Sequence, residues 1–180
     1  PLRTVSVSLI AASRLPCITI IAASLVLASR LSGKIFNSRS YADAASCQLF
    51  LGHPDRALVM GEEAMALAKR GEYPISLAHA LWQTGTVHLQ RGEVERVRER
   101  ADELVGVAKQ FGFPFYLGIG KFLQGSIRVA SGEHEAGVAE LQQAMVELAG
   151  IGSGIAAPAI LGLLAGALGK IGRHDDALAA

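Results

Sequence analysis

Four glycines at equal intervals constrain the fold of this chain more than any other feature. They are Gly52, Gly92, Gly132 and Gly172, and each lies forty positions after the one before. An acidic residue comes three positions after each glycine: Asp55, Glu95, Glu135 and Asp175. A small residue comes five positions after each: Ala57, Val97, Gly137 and Ala177. Chance does not keep this chemistry in register over three intervals, so the sequence predicts an array of repeats.

Each repeat has the pattern of two amphipathic helices. Apolar residues recur at helical spacing, as in Leu77, Leu81 and Thr84 around Trp82. One helical hairpin cannot bury both of its apolar stripes, whereas stacked hairpins can. A chain that is 51% hydrophobic, 18% charged and 6% aromatic also suits close-packed helices better than a β-sandwich. The sequence therefore predicts an all-α fold.

Turn residues predict where the helices begin and end. Pro54 suits a first helical turn, and Gly71, which follows Lys69 and Arg70, is expected to be the C′ residue that stops the same helix. We expect helices over residues 38–51, 54–70, 75–91, 93–110, 115–131, from the Gly132 turn to 149, 159–171, and from 173 onward, with a looser connection over 150–158. Close approaches between helices are expected at Ala57, Ala64, Gly85, Gly125, Gly137, Ala144 and Ala165.

The chain divides into two parts. Residues 37–180 hold about three and a half repeats, and residues 1–36 do not match the repeat. An apolar run of 15 residues lies between Arg14 and Arg30 in this first part, short of the roughly 20 that a spanning helix needs. It is open to three interpretations: a buried or poorly ordered helix, a membrane or signal segment, or non-native sequence. Because the chain opens at Pro1 and ends inside an expected helix, we expect a fragment of a longer protein.

Charge and cysteine content favour a cytoplasmic protein that does not bind nucleic acid. The formal net charge is +1 and the sequence pI is about 8.3, so the net charge gives no electrostatic reason to expect binding to nucleic acid or to an anionic membrane. The run from Glu95 to Glu103 is interpreted as a solvated helix face with i,i+4 charge pairs. Cys17 and Cys47 form no CxxC motif and are expected to be reduced thiols.

No set of residues has the spacing of a catalytic, cofactor or metal site. The five histidines are not placed at ligand spacing on one helix, and no HExxH motif is present. The glycine-rich segment 150–154 lacks the lysine of a phosphate loop and is expected to be a linker. The acidic residue of each repeat stands at a helix start, where the helix dipole explains it. We expect no enzyme activity from this segment, no cofactor and no metal.

The helix pair resembles the tetratricopeptide repeat. Gly85 and Gly92 are seven positions apart, as are Gly125 and Gly132, which matches two positions of that motif. The period is 40 instead of the usual 34. The phrases LGHPDRALVMGEEAMALAKRGEYPISLAHAL, AKQFGFPFYLGIGKFLQG and LGKIGRHDDALA are similar to the C-terminal regions of bacterial predicted ATPases fused to class III adenylate/guanylate cyclases, and of maltose-activator regulators. The resemblance covers roughly residues 40–180 and implies a right-handed α-solenoid with a 40-residue period.

The resemblance also implies a concave groove lined by the first helix of each hairpin. Carried over position by position, the candidate binding residues are Arg39, His79, Trp82, Thr86, Ile119, Phe122 and Ser126, with Ala42, Ser46, Leu49, Leu89 and Val129 completing the positions. Trp82 and Phe122 are expected to stack side by side there as a peptide anchor. The alternative is that both rings only pack between repeats.

These residues predict a non-catalytic interaction or regulatory segment of a bacterial signalling ATPase or nucleotide cyclase. The expected partner is a protein or peptide in the groove, or the catalytic modules of the same parent chain. The alternative, from a different class, is the ligand-sensing repeat region of a LuxR or maltose-activator type transcriptional regulator.

Overall fold

The computed structural model describes residues 34–179, with side chains from Ser38 onward. Within this part the chain is all-helical, which confirms the predicted all-α class. Most of the apolar N-terminal segment, residues 1–33, lies outside the described residues. The helices are α1 Lys34–Phe50, α2 Pro54–Gly71, α3 Pro74–Gln90, α4 Val94–Phe111, α5 Pro114–Ala130, α6 His134–Gly150, α7 Ala157–Lys170 and α8 His174–Ala179. None of these eight has the length and apolar character needed to cross a membrane.

One turn geometry closes every helix from α1 to α7, and it recurs twice in each repeat. The residues with positive φ are Gly52, Glu72, Gly92, Gly112, Gly132, Gly152 and Gly172. The next residue donates its backbone N–H to the carbonyl five positions earlier, over 2.8–3.2 Å; His53 to Gln48 is one example. This is the Schellman hydrogen bond, which satisfies carbonyls at a helix end. The interval between the glycines of the sequence pattern therefore contains two equivalent turns.

The residue that ends α2 differs from the prediction. Gly71 is still helical, and Glu72 adopts the left-handed conformation with φ of 54°. Gly71 is needed for space instead, since a Cβ on it would lie 2.6 Å from the ring of Tyr73, which folds back over the helix end. The other boundaries fall close to their predicted positions, and residues 151–156 form the longest connection between described helices.

Each helix packs against the next one along the chain. The odd-numbered helices also pack against one another in the order α1, α3, α5 and α7, so they form a continuous row. The core runs along this row and the helices beside it. Its largest fully buried side chains include Leu81, Leu104, Ile119, Leu123, Leu141, Ile160 and Leu164.

Small residues are buried at most of the positions where the sequence predicts close approaches between helices. Six of the seven expected positions are buried, and only Ala165 is half-exposed. A Cβ on Gly137 would lie 2.6 Å from Val129 Cγ2 and 3.0 Å from the Val129 backbone nitrogen. A Cβ on Gly125 would lie 2.9 Å from Leu141 Cγ. Glycine at these positions allows α5 and α6 to pack backbone against backbone.

The turn geometry predicts opposite effects for two substitutions at equivalent positions. Replacing Glu72 with glycine should raise the free energy of unfolding by about 0.5–1 kcal/mol, because it removes a Cβ from a left-handed residue. Gly92→Ala should lower it by about 1 kcal/mol for the converse reason. No atom lies within 4 Å of a Cβ built on Gly92, so the added methyl group causes no steric clash that would contribute to the change in stability. Urea unfolding followed by circular dichroism measures both, and shifts of the same sign would contradict the assignment.

Candidate functional site

A largely buried polar cluster joins three of the odd-numbered helices. It consists of Asp43 and Ser46 on α1, His79 and Gln83 on α3, and Tyr116 on α5. His79 is at its centre and is only 7% exposed. Its Nε2 lies 2.8 Å from Asp43 Oδ1, and its Nδ1 lies 3.3 Å from the Tyr116 hydroxyl. The imidazole therefore connects α1 to α5.

The partners of each atom define the direction of the hydrogen bonds. Asp43 accepts from His79 Nε2–H and, at 3.5 Å, from Gln83 Nε2. With a proton on Nε2 that is donated to Asp43, the imidazole presents a lone pair on Nδ1 to the hydroxyl of Tyr116. Ser46 Oγ donates to Gln83 Oε1 over 2.5 Å. These side chains satisfy one another, and such clusters hold helices in one register.

The cluster is suited to holding the helices in place and not to reacting with a substrate. Burial is the main factor that raises the pKa of the Tyr116 phenol, so this hydroxyl stays protonated. Burial, followed by the charge of Asp43, also raises the pKa of the nearby Cys47 thiol. Both potential nucleophiles are thus held in their neutral, weakly reactive forms. Within residues 38–179, no three His, Cys, Asp or Glu side chains are grouped to hold a metal ion.

An aromatic row extends from this cluster to the turn between α4 and α5. It consists of Trp82, Phe115, Tyr116, Phe113 and Phe111, with successive ring centroids 5.1–6.2 Å apart. Trp82 also meets the ring of His79 edge-on at 5.5 Å. Trp82, Phe113 and Phe115 are half-buried, and Phe111 is 45% exposed. The row therefore offers rigid apolar edges beside hydrogen-bonding groups.

The predicted groove residues lie at different depths. His79, Ile119, Phe122 and Ser126 are buried, Trp82 and Thr86 are half-buried, and Arg39 is exposed. Ser126 Oγ and Thr86 Oγ1 donate to carbonyls of their own helices, those of Phe122 and Trp82. The rings that contact Trp82 are those of His79 and Phe115, in place of the expected stack with Phe122. Phe122 is 5% exposed and belongs to the core, as the packing alternative expected.

Sequence reasoning missed Asp43, Gln83, Tyr116 and Phe115. It compared identical positions in successive repeats. Asp43 and Gln83 do occupy identical positions and meet at 3.5 Å, but His79 contacts Asp43 and Tyr116 at separations of 36 and 37 residues. That offset is one helical turn short of the repeat. The signal that was available is the presence of His79, Gln83 and Tyr116 within the mainly apolar helices α3 and α5.

The even-numbered helices carry a different surface, made of ion pairs. Arg100 and Glu62 lie 2.9 Å apart, and Lys69 and Glu103 lie 2.7 Å apart, so both pairs connect α2 to α4. Within the run 95–103 the pairs are i,i+3, such as Arg96–Glu99 at 2.9 Å, and not the expected i,i+4 pairs. The side chains of this run are mostly exposed, in agreement with a solvated face.

The turn after α3 contains a network of four charged or ionisable side chains. Glu93 accepts from His88 Nδ1 and from Arg91 Nε, each over 2.6 Å, and Arg91 Nη1 reaches Asp55 over 2.6 Å. The hydrogen bond from His88 and then that from Arg91 lower the pKa of the Glu93 carboxyl. Ionised Glu93 thus ties the end of α3 to the start of α4.

No protein-family model matches the chain, and no curated protein is significantly similar to it.

The hydrogen bond between Tyr116 and His79 predicts that removing the Tyr116 hydroxyl will destabilise the protein. Tyr116→Phe leaves His79 Nδ1 without its donor, and should lower the free energy of unfolding by about 1 kcal/mol. Tyr41→Phe is the matched control, because Tyr41 is 41% exposed and its loss of a hydroxyl should change the value by less than about 0.5 kcal/mol. Equal effects in urea unfolding would mean that the bond to His79 contributes nothing.

The lowered pKa of Glu93 predicts an acid-dependent contribution to stability. The contribution is complete above the ordinary carboxyl pKa of 4.5 and is lost as the pH falls from there through the lowered value in the folded protein. Melting temperatures of the wild type and of Glu93→Gln should therefore converge below pH 4.5. Parallel pH profiles for the two proteins would contradict this assignment.

Proposed function

We propose that residues 37–180 form a right-handed, tetratricopeptide-like α-solenoid that binds another polypeptide and does not itself catalyse a reaction. Two features support this proposal. Helix after helix ends in the same Schellman turn, and the odd-numbered helices pack in a row. Solenoids built in this way present an extended surface along such a row and use it for binding.

The observation that carries the proposal is the half-buried pair Trp82 and Phe115. Their centroids are 5.4 Å apart at an interplanar angle of 74°, and the polar cluster lies directly beside them. Interface anchors are commonly large aromatic side chains of this kind, supported by packing and edged by polar groups. The neutral states of Tyr116 and Cys47 favour binding over catalysis, since neither group is activated.

The sequence resemblance supports a regulatory context for this binding. In this proposal the chain is the interaction segment of a cytoplasmic bacterial signalling ATPase or nucleotide cyclase. The bound polypeptide is then either a separate protein or a catalytic module of the same parent chain. The same resemblance also supports the alternative, in which the chain is the ligand-sensing region of a transcriptional regulator.

Selection of peptides from a displayed random library, with the whole chain as target, tests this function. Trp82 is the single tryptophan of the protein, so selected peptides can be titrated by its fluorescence. We expect binders that change its emission and that lose at least about tenfold in affinity, by calorimetry, on Trp82→Ala or Phe115→Ala. Val146→Ala is the control, because Val146 is 71% exposed on α6 and lies outside the aromatic row.

Two results would contradict the proposal. One is a selection that enriches no binder. The other is a set of binders whose affinities are unchanged by both aromatic substitutions and by the double variant, with helicity intact.

A further inference from the structure

A pocket of about 350 Å³ opens where α4 ends and α5 begins. We call it the turn pocket; it is lined by Ala108, Lys109, Gly112, Phe113, Pro114 and Leu117. Gly112 and Pro114 are exposed, and no atom lies within 4 Å of a Cβ built on Gly112. The pocket is therefore open to solvent along one side, so it suits a side chain of a bound chain better than a small molecule that must be enclosed.

The same shell of residues occurs one repeat earlier. The counterparts at the equivalent positions of that repeat are Ala68, Lys69, Glu72, Tyr73, Pro74 and Leu77. Alanine, lysine, proline and leucine are kept, and an aromatic residue directly precedes the proline in both. Besides Tyr73 in place of Phe113, the first turn shows two differences that matter here: Glu72 stands where the second has Gly112, and Lys69 forms an ion pair with Glu103 over 2.7 Å.

The second difference leaves a lysine available in the turn pocket. The counterpart of Glu103 is Gln143, whose amide donates to Glu147 over 3.2 Å. An amide cannot neutralise an ammonium group, and Lys109 has no carboxylate partner among residues 38–179. Lys109 is exposed at the rim, so its charge is free to attract a carboxylate from outside the chain. The first turn of α5 also begins at this rim, and the positive end of its dipole favours an anion.

The apolar wall of the pocket is rigid. Phe113 stacks on Phe111 with centroids 6.0 Å apart and planes 20° apart. Its other neighbour is Tyr116, at 6.2 Å, through which the wall continues to Phe115 and Trp82. The turn pocket thus lies at one end of the aromatic row and is continuous with the proposed binding surface.

We propose that the turn pocket recognises a peptide segment in which an aromatic side chain stands next to an acidic residue. The aromatic side chain occupies the space above Gly112 against Phe113 and Leu117. The neighbouring carboxylate pairs with Lys109. This inference rests on the proposed binding function and specifies the chemistry of the partner.

Amide chemical shifts of the ¹⁵N-labelled whole chain test the inference with defined probes. The probe is N-acetylated, C-amidated Gly-Phe-Asp-Gly, whose blocked ends carry no charge. Its comparators are the same peptide with Asn for Asp and with Ala for Phe. We expect saturable shifts at Gly112, Phe113 and Leu117, an affinity about two- to fivefold lower for the Asn peptide, and no saturation with the Ala peptide.

A substitution that restores the missing carboxylate provides the matched variant. Gln143→Glu gives Lys109 the internal partner that Lys69 has in Glu103. Affinity for the Asp peptide should then fall to that for the Asn peptide, while affinity for the Asn peptide stays unchanged. Conversely, the double variant Glu72→Gly and Glu103→Gln should create new saturable shifts at Tyr73 and Leu77.

The outcomes separate this inference from the proposed function. Equal affinities for the Asp and Asn peptides would overturn the role of Lys109, and absence of shifts around Gly112 would overturn the pocket. Either result leaves intact a binding surface at Trp82, because library-selected peptides report on that surface independently. Shifts confined to the indole of Trp82 would likewise overturn the turn pocket and support only the wider surface.

Discussion

The backbone hydrogen bond that closes each helix is the constraint on which the rest of this structure depends. It requires one residue in the left-handed conformation, and glycine meets that requirement in six of the seven turns from Gly52 to Gly172. Because these turns recur at one constant interval, helices α1 to α6 have almost equal lengths, and each is followed by the same kind of turn. Even Glu72 adopts the geometry, which shows that tertiary packing enforces it where the residue itself does not favour it.

Close helix packing turns this regular backbone into a surface with particular chemistry. Glycines such as Gly125 and Gly137 let the backbones of α5 and α6 approach, and the odd-numbered helices also contact one another directly. Side chains from neighbouring helices of this row come together slightly out of register, as in the contacts of His79 with Asp43 and Tyr116. The resulting cluster is buried and internally satisfied, so it orders the surface around Trp82 without being reactive itself.

Differences between equivalent positions are as informative as the repeat. Several charged groups on the even-numbered helices are neutralised across repeats, as Lys69 is by Glu103. Where one partner is replaced, a charge becomes available for recognition, and Lys109 is such a case because Gln143 stands at the position equivalent to Glu103. A repeat array can in this way keep one fold while each turn presents different chemistry to a partner.

The sequence by itself determined the helical class, the register of the turns and the small residues at close contacts, because glycine spacing and helical periodicity are local properties of the chain. It singled out Trp82, which is half-buried, but the expected stack of that ring on Phe122 was wrong. Only the tertiary structure decided that Phe122 is core and that Asp43, His79 and Tyr116 meet. The physical reason is that crossing helices bring together residues one turn out of register, an offset set by packing and invisible to a comparison of identical repeat positions.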